Sequence, residues 1–378
     1  MKVAVLKETR PGEARVALVP QGVETLVGWG MDVVVQSGAG VAAGAPDPAY
    51  ADAGATVVAE VGEALQGADL LLHVNPLSAE ECAGLREDAL VVSFLNPLGD
   101  PEGIGRLRDR GVTAISMEMV PRITRAQSMD ALSSQATVAG YKAVLMAADR
   151  LPRFLPMFTT AAGTIRPAKA LILGAGVAGL QAIATARRLG AVVEAFDVRP
   201  AVKEQVESLG ATFLETEHEV SAEGEGGYAK ELSEEQHERE LELIAEHISG
   251  SDVVITTAQI PGRPAPVLVT EAMLETMKHG SVVVDLATES GGNCEASRMG
   301  EAVVSHGVTV LGPVNLPASL PVHASQMYSR NITTLIGEFV DQESGELALD
   351  FDNDVVGPAT VTHRGEVVNE RVAGTLAS

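Results

Sequence analysis

Gly174-Ala175-Gly176-Val177-Ala178-Gly179 follows an apolar run at residues 170–173 and leads into a helical pattern carried by Leu180, Ile183, Ala184 and Leu189. Strand, glycine turn and helix in that order present a helix N-terminus, with its main-chain N–H groups and positive dipole end, to a pyrophosphate. Gly174 permits the tight turn, Gly176 lets the main chain approach a phosphate, and Gly179 allows close packing of helix on strand. Val177 and Ala178 open the helix. The next strand, residues 192–197, brings Asp197, with Val198 and Arg199 after it, to the same end of a sheet. A carboxylate there accepts ribose hydroxyls and repels a 2′-phosphate, which favours NAD(H) over NADP(H). Arg199 is either a cation able to accept that phosphate or a surface residue at a strand end. The spacing predicts an α/β fold of Rossmann type.

With 378 residues the chain exceeds one ordinary core, and about 150 residues per domain predicts two. Apolar residues make up 46%, charged residues 21% and aromatics only 3%, the usage of a globular α/β protein. A formal net charge of -24 repels phosphate backbones and anionic headgroups, so nucleic acid and an acidic membrane surface are excluded as direct partners. Cys82 and Cys294 stand far apart and outside any Cys/His cluster, which argues against a disulfide framework or a metal site and fits a reducing compartment. The N-terminus becomes charged too early for a secretory leader, and apolar runs fall short of the roughly 18 residues of a span. The expected location is cytoplasmic, with any membrane attachment through another chain.

β-rich runs at 2–6, 32–36, 69–74, 90–94 and 113–117 alternate with helical stretches and predict one parallel α/β domain. A helix over about 130–151 separates it from a second alternation with strands at 170–173, 192–197, 252–257, 281–286 and 308–311. Residues 215–246 form an acidic insertion, 322–340 a return helix, and 345–368 a hairpin-like tail around Gly357-Pro358 and Arg364-Gly365. The predicted plan is two Rossmann-like domains with parallel sheets, the second inserted into the first: residues 1–133 with 318–378, and residues 134–317.

Residues 121–134 (Pro-Arg-Ile-Thr-Arg-Ala-Gln-Ser-Met-Asp-Ala-Leu-Ser-Ser), with the glycine turn, Gly226-Gly227-Tyr228-Ala229-Lys230 and Gly291-Gly292-Asn293-Cys294, carry a chain-wide likeness. By these segments the sequence resembles the NAD(H)-binding component of proton-translocating nicotinamide nucleotide transhydrogenases. The resemblance implies hydride transfer from NADH to NADP+ on a separate NADP(H)-binding component, coupled through a membrane-spanning component. It also implies a homodimer docked peripherally on the cytoplasmic face of the inner membrane. Arg122, Gln127, Asp130 and Ser133 match the family loop at the nicotinamide and its ribose, where hydrogen bonds fix ring orientation. Gly227 and Tyr228 match a mobile loop that closes on nucleotide. Ala258 matches a turn beside the cleft, although Gln259 stands where the family pattern has leucine. On local sequence alone Asp130 reads equally as a helix N-cap.

Alanine dehydrogenase is the rival reading, since it shares the scaffold and the run from Glu13 to Pro20. Its chemistry needs a lysine and a histidine for substrate binding and proton transfer. Asn75 and Asn96 stand at those positions, and amides cannot do acid–base work. His73 reads as a satisfied strand-end histidine, and Arg15 as a structural partner of Glu8 or Glu13. A third reading is a non-catalytic NAD(H)-responsive binding module.

Overall fold

The computed structural model describes residues 1–215, 233–260 and 263–376. In chain order its strands are β1 (Lys2–Val5), β2 (Asp32–Gln36), β3 (Thr56–Val58), β4 (Leu70–Leu72), β5 (Leu90–Ser93), β6 (Thr113–Ser116), β7 (Phe158–Thr160), β8 (Gly163–Ile165), β9 (Lys169–Leu173), β10 (Val192–Phe196), β11 (Thr212–Phe213), β12 (Val253–Thr256), β13 (Val282–Asp285), β14 (Ala302–Ser305), β15 (Val308–Leu311), β16 (Thr360–His363) and β17 (Glu366–Val367). The chain divides into two compact units, one of Met1–Gln135 with Pro317–Ser378 and the other of Ala136–Leu316.

The first unit is built on an eight-stranded sheet in the order β17-β16-β6-β5-β4-β1-β2-β3. Side chains alternate across it: Val3, Val5, Leu70 and Leu72 pack with Leu26, Tyr328 and Ile332 on one face. On the other face Ala4, Leu6 and Leu71 pack with Ile104 and Leu107. Covering both faces is what lets a strand read as unbroken Leu70-Leu71-Leu72, because parallel strands between helices have no solvent side. Strand β16 pairs antiparallel with β6, so the C-terminal segment completes a sheet begun by the N-terminal one.

The second unit holds a seven-stranded sheet in the order β11-β10-β9-β12-β13-β15-β14. Ala170 and Ile172 face one core cluster, and Leu171 and Leu173 the other. The strand order reverses between β9 and β12, which run parallel and are hydrogen-bonded to each other. The helix Ala131–Arg150 occupies the expected span, and the division between units falls within it.

Parallel pairing prevails in both sheets, but antiparallel strands extend the edges, β14 on β15 and β16 with β17. Strands β3 and β11, three and two residues long, are too short to impose a periodicity on the sequence. In the tail the hairpin is confined to β16 and β17, turning at Arg364 and Gly365 with φ +46° and +85°. Gly357-Pro358 lies in the short helix Val356–Ala359 rather than in a turn, since proline is compatible with a helix's first turn. A separate two-stranded ribbon, β7 with β8, was not foreshadowed by any alternation in residues 158–165.

Candidate functional site

Ligands of open α/β sheets bind outside the carboxyl ends of the strands where the strand order reverses. In the second unit that point lies between Leu173, ending β9, and Thr256, ending β12. The glycine turn leaves the first strand there, and Thr257-Ala258 leaves the second. Gly174 adopts φ +96°, and a Cβ on it would stand 2.5 Å from Thr257 Oγ1 and 3.3 Å from the Ala258 nitrogen. Thr257 Oγ1 donates to the Gly174 carbonyl at 3.0 Å, tying the two turns together. A Cβ on Gly179 would meet the Gly174 carbonyl oxygen at 1.9 Å, so only glycine allows the helix Val177–Arg188 to lie this close to the strand.

Gly176 differs from both. It is the N-cap of that helix, with φ -74° and no side-chain cap, and the nearest atom to a Cβ there is 3.9 Å away. Nothing in the folded chain requires glycine at this position. The chemistry of a bare helix N-terminus beside a missing side chain fits an anionic group brought against the main chain. Val177 is exposed and Ala178 half-buried at the same end.

Asp197 and Arg199 are brought together more closely than their sequence suggests. Asp197 Oδ1 accepts from the Arg199 main-chain N–H at 2.9 Å and from Arg199 Nε at 2.8 Å. Its Oδ2 accepts from Arg199 Nη2 at 2.7 Å and from the Ala175 N–H at 2.7 Å. A carboxylate has about four lone-pair sites, and all four are occupied. Val198 packs partly into the apolar cluster around Phe196 and Ile244. Gly227 and Tyr228 lie outside the described residues.

Arg122, Gln127, Asp130 and Ser133 belong to the first unit. Asp130 accepts from the Ser133 N–H at 2.8 Å and from Ser133 Oγ at 2.6 Å, and so caps the helix Ala131–Arg150. Arg122 Nε stands 3.9 Å from Asp130 Oδ2, which gathers these three side chains, while Gln127 is exposed on the 3₁₀ turn Thr124–Met129. Two residues that the sequence did not single out hold this segment. Arg125 bonds to Asp354, Glu338 and Asn353, and Asn331 donates to the Ser128 carbonyl at 2.8 Å while accepting from Ser134 Oγ at 2.7 Å.

Residues that sequence reasoning did not assign to the site in the second unit are Gly140, Thr257, Asp285 and Asn293, the last quoted only within a segment carrying the family likeness. A Cβ on Gly140 would stand 2.1 Å from the Ala178 carbonyl oxygen, so the long helix packs main chain to main chain against the glycine turn. Its only signal was a glycine in mid-helix, where the residue otherwise costs about 1 kcal/mol.

The first sheet reverses between β1 and β4, and its crevice is filled by its own side chains. Arg15 pairs with Glu13 at 2.7 Å, with 6% and 0% of their side chains exposed, and it donates to Gln135 at 3.1 Å. Asn75 donates to Glu8 at 2.8 Å and to Glu13 at 3.0 Å. His73 donates from Nδ1 to the Asn75 carbonyl at 2.7 Å and lies between Glu8 at 3.4 Å and Glu81 at 3.6 Å. Its Nε2 is buried without a hydrogen-bond partner, so the ring is not the fully satisfied strand-end histidine expected from the sequence. Burial alone lowers the His73 pKa, but Glu8 first, then Glu81, raise it to about 9. Asn96 is exposed, with φ +49°.

Residues 4–139 match the family described as Alanine dehydrogenase/PNT, N-terminal domain, and residues 143–370 its C-terminal domain. The chain belongs to this alanine dehydrogenase/PNT family. Within the family it is 46% identical to an NAD(P) transhydrogenase alpha-subunit chain of Rhodospirillum rubrum over 99% of both chains. The crystal structure of a transhydrogenase from Sinorhizobium meliloti superposes with a TM-score of 0.87 at 47% identity, covering 97% of this chain and 100% of that one. The alanine dehydrogenase of Mycobacterium tuberculosis is 29% identical over 100% of this chain and 97% of its own. The family's transhydrogenase alpha subunits are thus homologues of the chain, with alanine dehydrogenases at lower identity.

Proposed function

We propose that this chain is the NAD(H)-binding component of a proton-translocating NAD(P) transhydrogenase. It passes hydride from NADH to NADP+ held on a separate component, with proton translocation coupled through a membrane-spanning component. The carrying observation is the contrast between the two switch points. One presents a bare glycine turn and an acidic strand end, whereas the other is packed with Glu8, Glu13, Arg15, His73 and Asn75.

Amino-acid oxidation needs a base at the reacting nitrogen. Here the Asn75 amide, which cannot take up a proton, is committed to two carboxylates, and Arg15 is engaged by Glu13 rather than held open for a substrate carboxylate. Hydride exchange between two nicotinamides moves no proton, so binding and orientation suffice. When bound, the nicotinamide supplies the hydride. The chain's role is to hold a pyrophosphate on the main chain of Gly174, Gly176, Val177, Ala178 and Gly179, and the adenosine ribose on Asp197. Val198, Arg199 and Ala258 wall that site, and Arg122, Gln127, Asp130 and Ser133 orient the nicotinamide end. Gly227 and Tyr228, outside the described residues, are assigned to the same nucleotide by the family resemblance.

The chain works as a homodimer held peripherally at the cytoplasmic face of the inner membrane by its partner subunits. Among the described residues no helix is long and apolar enough to cross a membrane, which is consistent with attachment through other chains. The test is functional: purified chain with alanine and NAD+ yields no NADH, and adding an NADP(H)-binding transhydrogenase component restores exchange between NADH and an NADP+ analogue. Alanine turnover would overturn the reading in favour of the dehydrogenase. NADH binding without exchange would favour a sensor module.

A further inference from the structure

Gly291-Gly292-Asn293 does not border the glycine turn, yet its amide is tied to the turn's neighbour. Asn293 is 0% exposed and its polar atoms are used in both directions. Oδ1 accepts from the Ala258 N–H at 3.1 Å while Nδ2 donates to the Ala258 carbonyl at 2.9 Å and to the Pro266 carbonyl at 2.7 Å. One carboxamide thereby grips Ala258 as a neighbouring strand would, and also fastens the far end of the loop that leaves it. Its main-chain carbonyl accepts from the Leu268 and Val269 N–H groups at 2.7 and 2.9 Å.

The main chain of Asn293 is in turn held by a buried carboxylate. Asp285, 0% exposed at the end of β13, accepts from the N–H groups of Asn293 and Cys294 at 2.8 and 3.0 Å and from Ser297 Oγ at 2.7 Å. It also accepts from Thr256 Oγ1 at 3.0 Å and the Ala287 N–H at 2.9 Å. The two glycines serve this geometry: Gly291 and Gly292 have φ +102° and +89°, and a Cβ on Gly292 would press to 3.0 Å from Asp285 Oδ2. Ala258 is the residue whose nitrogen stands 3.3 Å from the Cβ position of Gly174. A shift at Ala258 is therefore a shift in the wall of the switch-point crevice.

We infer that Asn293 is a positioning residue for nucleotide binding, acting through Ala258, and that Asp285 fixes Asn293 in turn. The inference rests on the reading that the Gly174 turn holds NAD(H). An amide is required because the position must accept one hydrogen bond and donate two. An aspartate of the same shape accepts but cannot donate while ionised, and it faces two carbonyl oxygens. Protonation returns a donor, and burial among acceptors raises the pH at which that happens.

The experiment compares the wild-type chain with Asn293→Asp and the smaller Asn293→Ser, titrating NADH by its fluorescence and following the fold by circular dichroism and melting. Both variants are expected to weaken NADH binding at least tenfold at pH 8, about 1.4 kcal/mol. Asn293→Asp should recover several-fold at pH 6, with Asn293→Ser and the wild type not sharing that recovery. In the wild type without nucleotide, the Ala258 amide should already exchange slowly with solvent hydrogen. A lowered melting temperature with NADH affinity within twofold of wild type would overturn the inference, as would a fast-exchanging Ala258 amide. Failure of the wild type itself to bind NADH would instead sink the nucleotide reading.

Discussion

Two glycines three residues apart make opposite predictions under the same substitution. Gly179→Ala drives a Cβ to 1.9 Å from the Gly174 carbonyl, so the helix must move and the melting temperature should fall by several degrees. Gly176→Ala meets nothing within 3.9 Å and keeps an allowed φ, so the fold should survive while NADH binding weakens by roughly tenfold or more. Equal NADH affinity in a stable Gly176→Ala protein would remove the pyrophosphate from that turn. Asp197 makes a second residue-scale case. With its four lone-pair sites filled by Arg199 and Ala175, ribose hydroxyls bind only by exchange with the guanidinium. Asp197→Asn loses the charge that makes such bonds strong and that repels a 2′-phosphate. NADH should weaken about tenfold and the preference over NADPH should shrink, as measured by parallel titrations.

At the scale of elements, Gly140 decides a sign. On an exposed helix, glycine to alanine stabilises by about 1 kcal/mol. Here a Cβ would lie 2.1 Å from the Ala178 carbonyl, and overpacking of this kind costs about 1–3 kcal/mol. Gly140→Ala should therefore lower the denaturation midpoint, and a raised midpoint would mean the two helices are not in main-chain contact. The interior strands were legible in the sequence because burial on both faces demands unbroken apolar runs such as 170–173 and 253–255. The edges were not. Strand β14, Ala302–Ser305, exposes Val304 at 70%, and β3 and β11 are too brief to carry a period.

On the scale of the whole molecule, the first unit buries a cluster of charge whose proton balance sets its stability. The folded pKa of His73, about 9, lies above its ordinary 6.5. Its contribution is complete below pH 6.5 and is lost as pH rises through 9, on the order of 3 kcal/mol for this buried group. Burial pushes Glu8 up, which acts in the same direction, whereas Glu13 and Glu81, held near 2 by Arg15 and His73, weaken the fold only as pH falls below about 4.5. The thermal midpoint should fall between pH 6.5 and 9, and His73→Gln should flatten that slope; an unchanged slope would show that His73 is neutral in the native state. Assembly supplies the second prediction. The ribbon β7–β8 stands apart from both large sheets with Phe158 and Ile165 exposed, beside exposed Phe154 and Met157. An isolated two-stranded ribbon is marginal in water, and a second copy offers the same apolar edge in return. In the homodimer proposed above, Phe158→Asp with Ile165→Asp should give monomers in sedimentation, and a dimer unaffected by them would place the contact elsewhere.

Local order alone determined the glycine turn: a strand, three spaced glycines, a helix and an acidic strand end are contiguous or nearly so, and its shape follows from main-chain geometry. The amides at Asn75 and Asn96 were visible in the sequence, but only the resemblance to alanine dehydrogenase gave them a meaning there. The tertiary structure decided what the sequence left open. Arg199 saturates Asp197, Glu13 claims Arg15, His73 sits buried between Glu8 and Glu81, and Asn293 reaches Ala258 from another strand end. Each depends on which strand ends the sheet order brings side by side. That adjacency is set by packing both faces of a sheet, and no spacing along the chain encodes it.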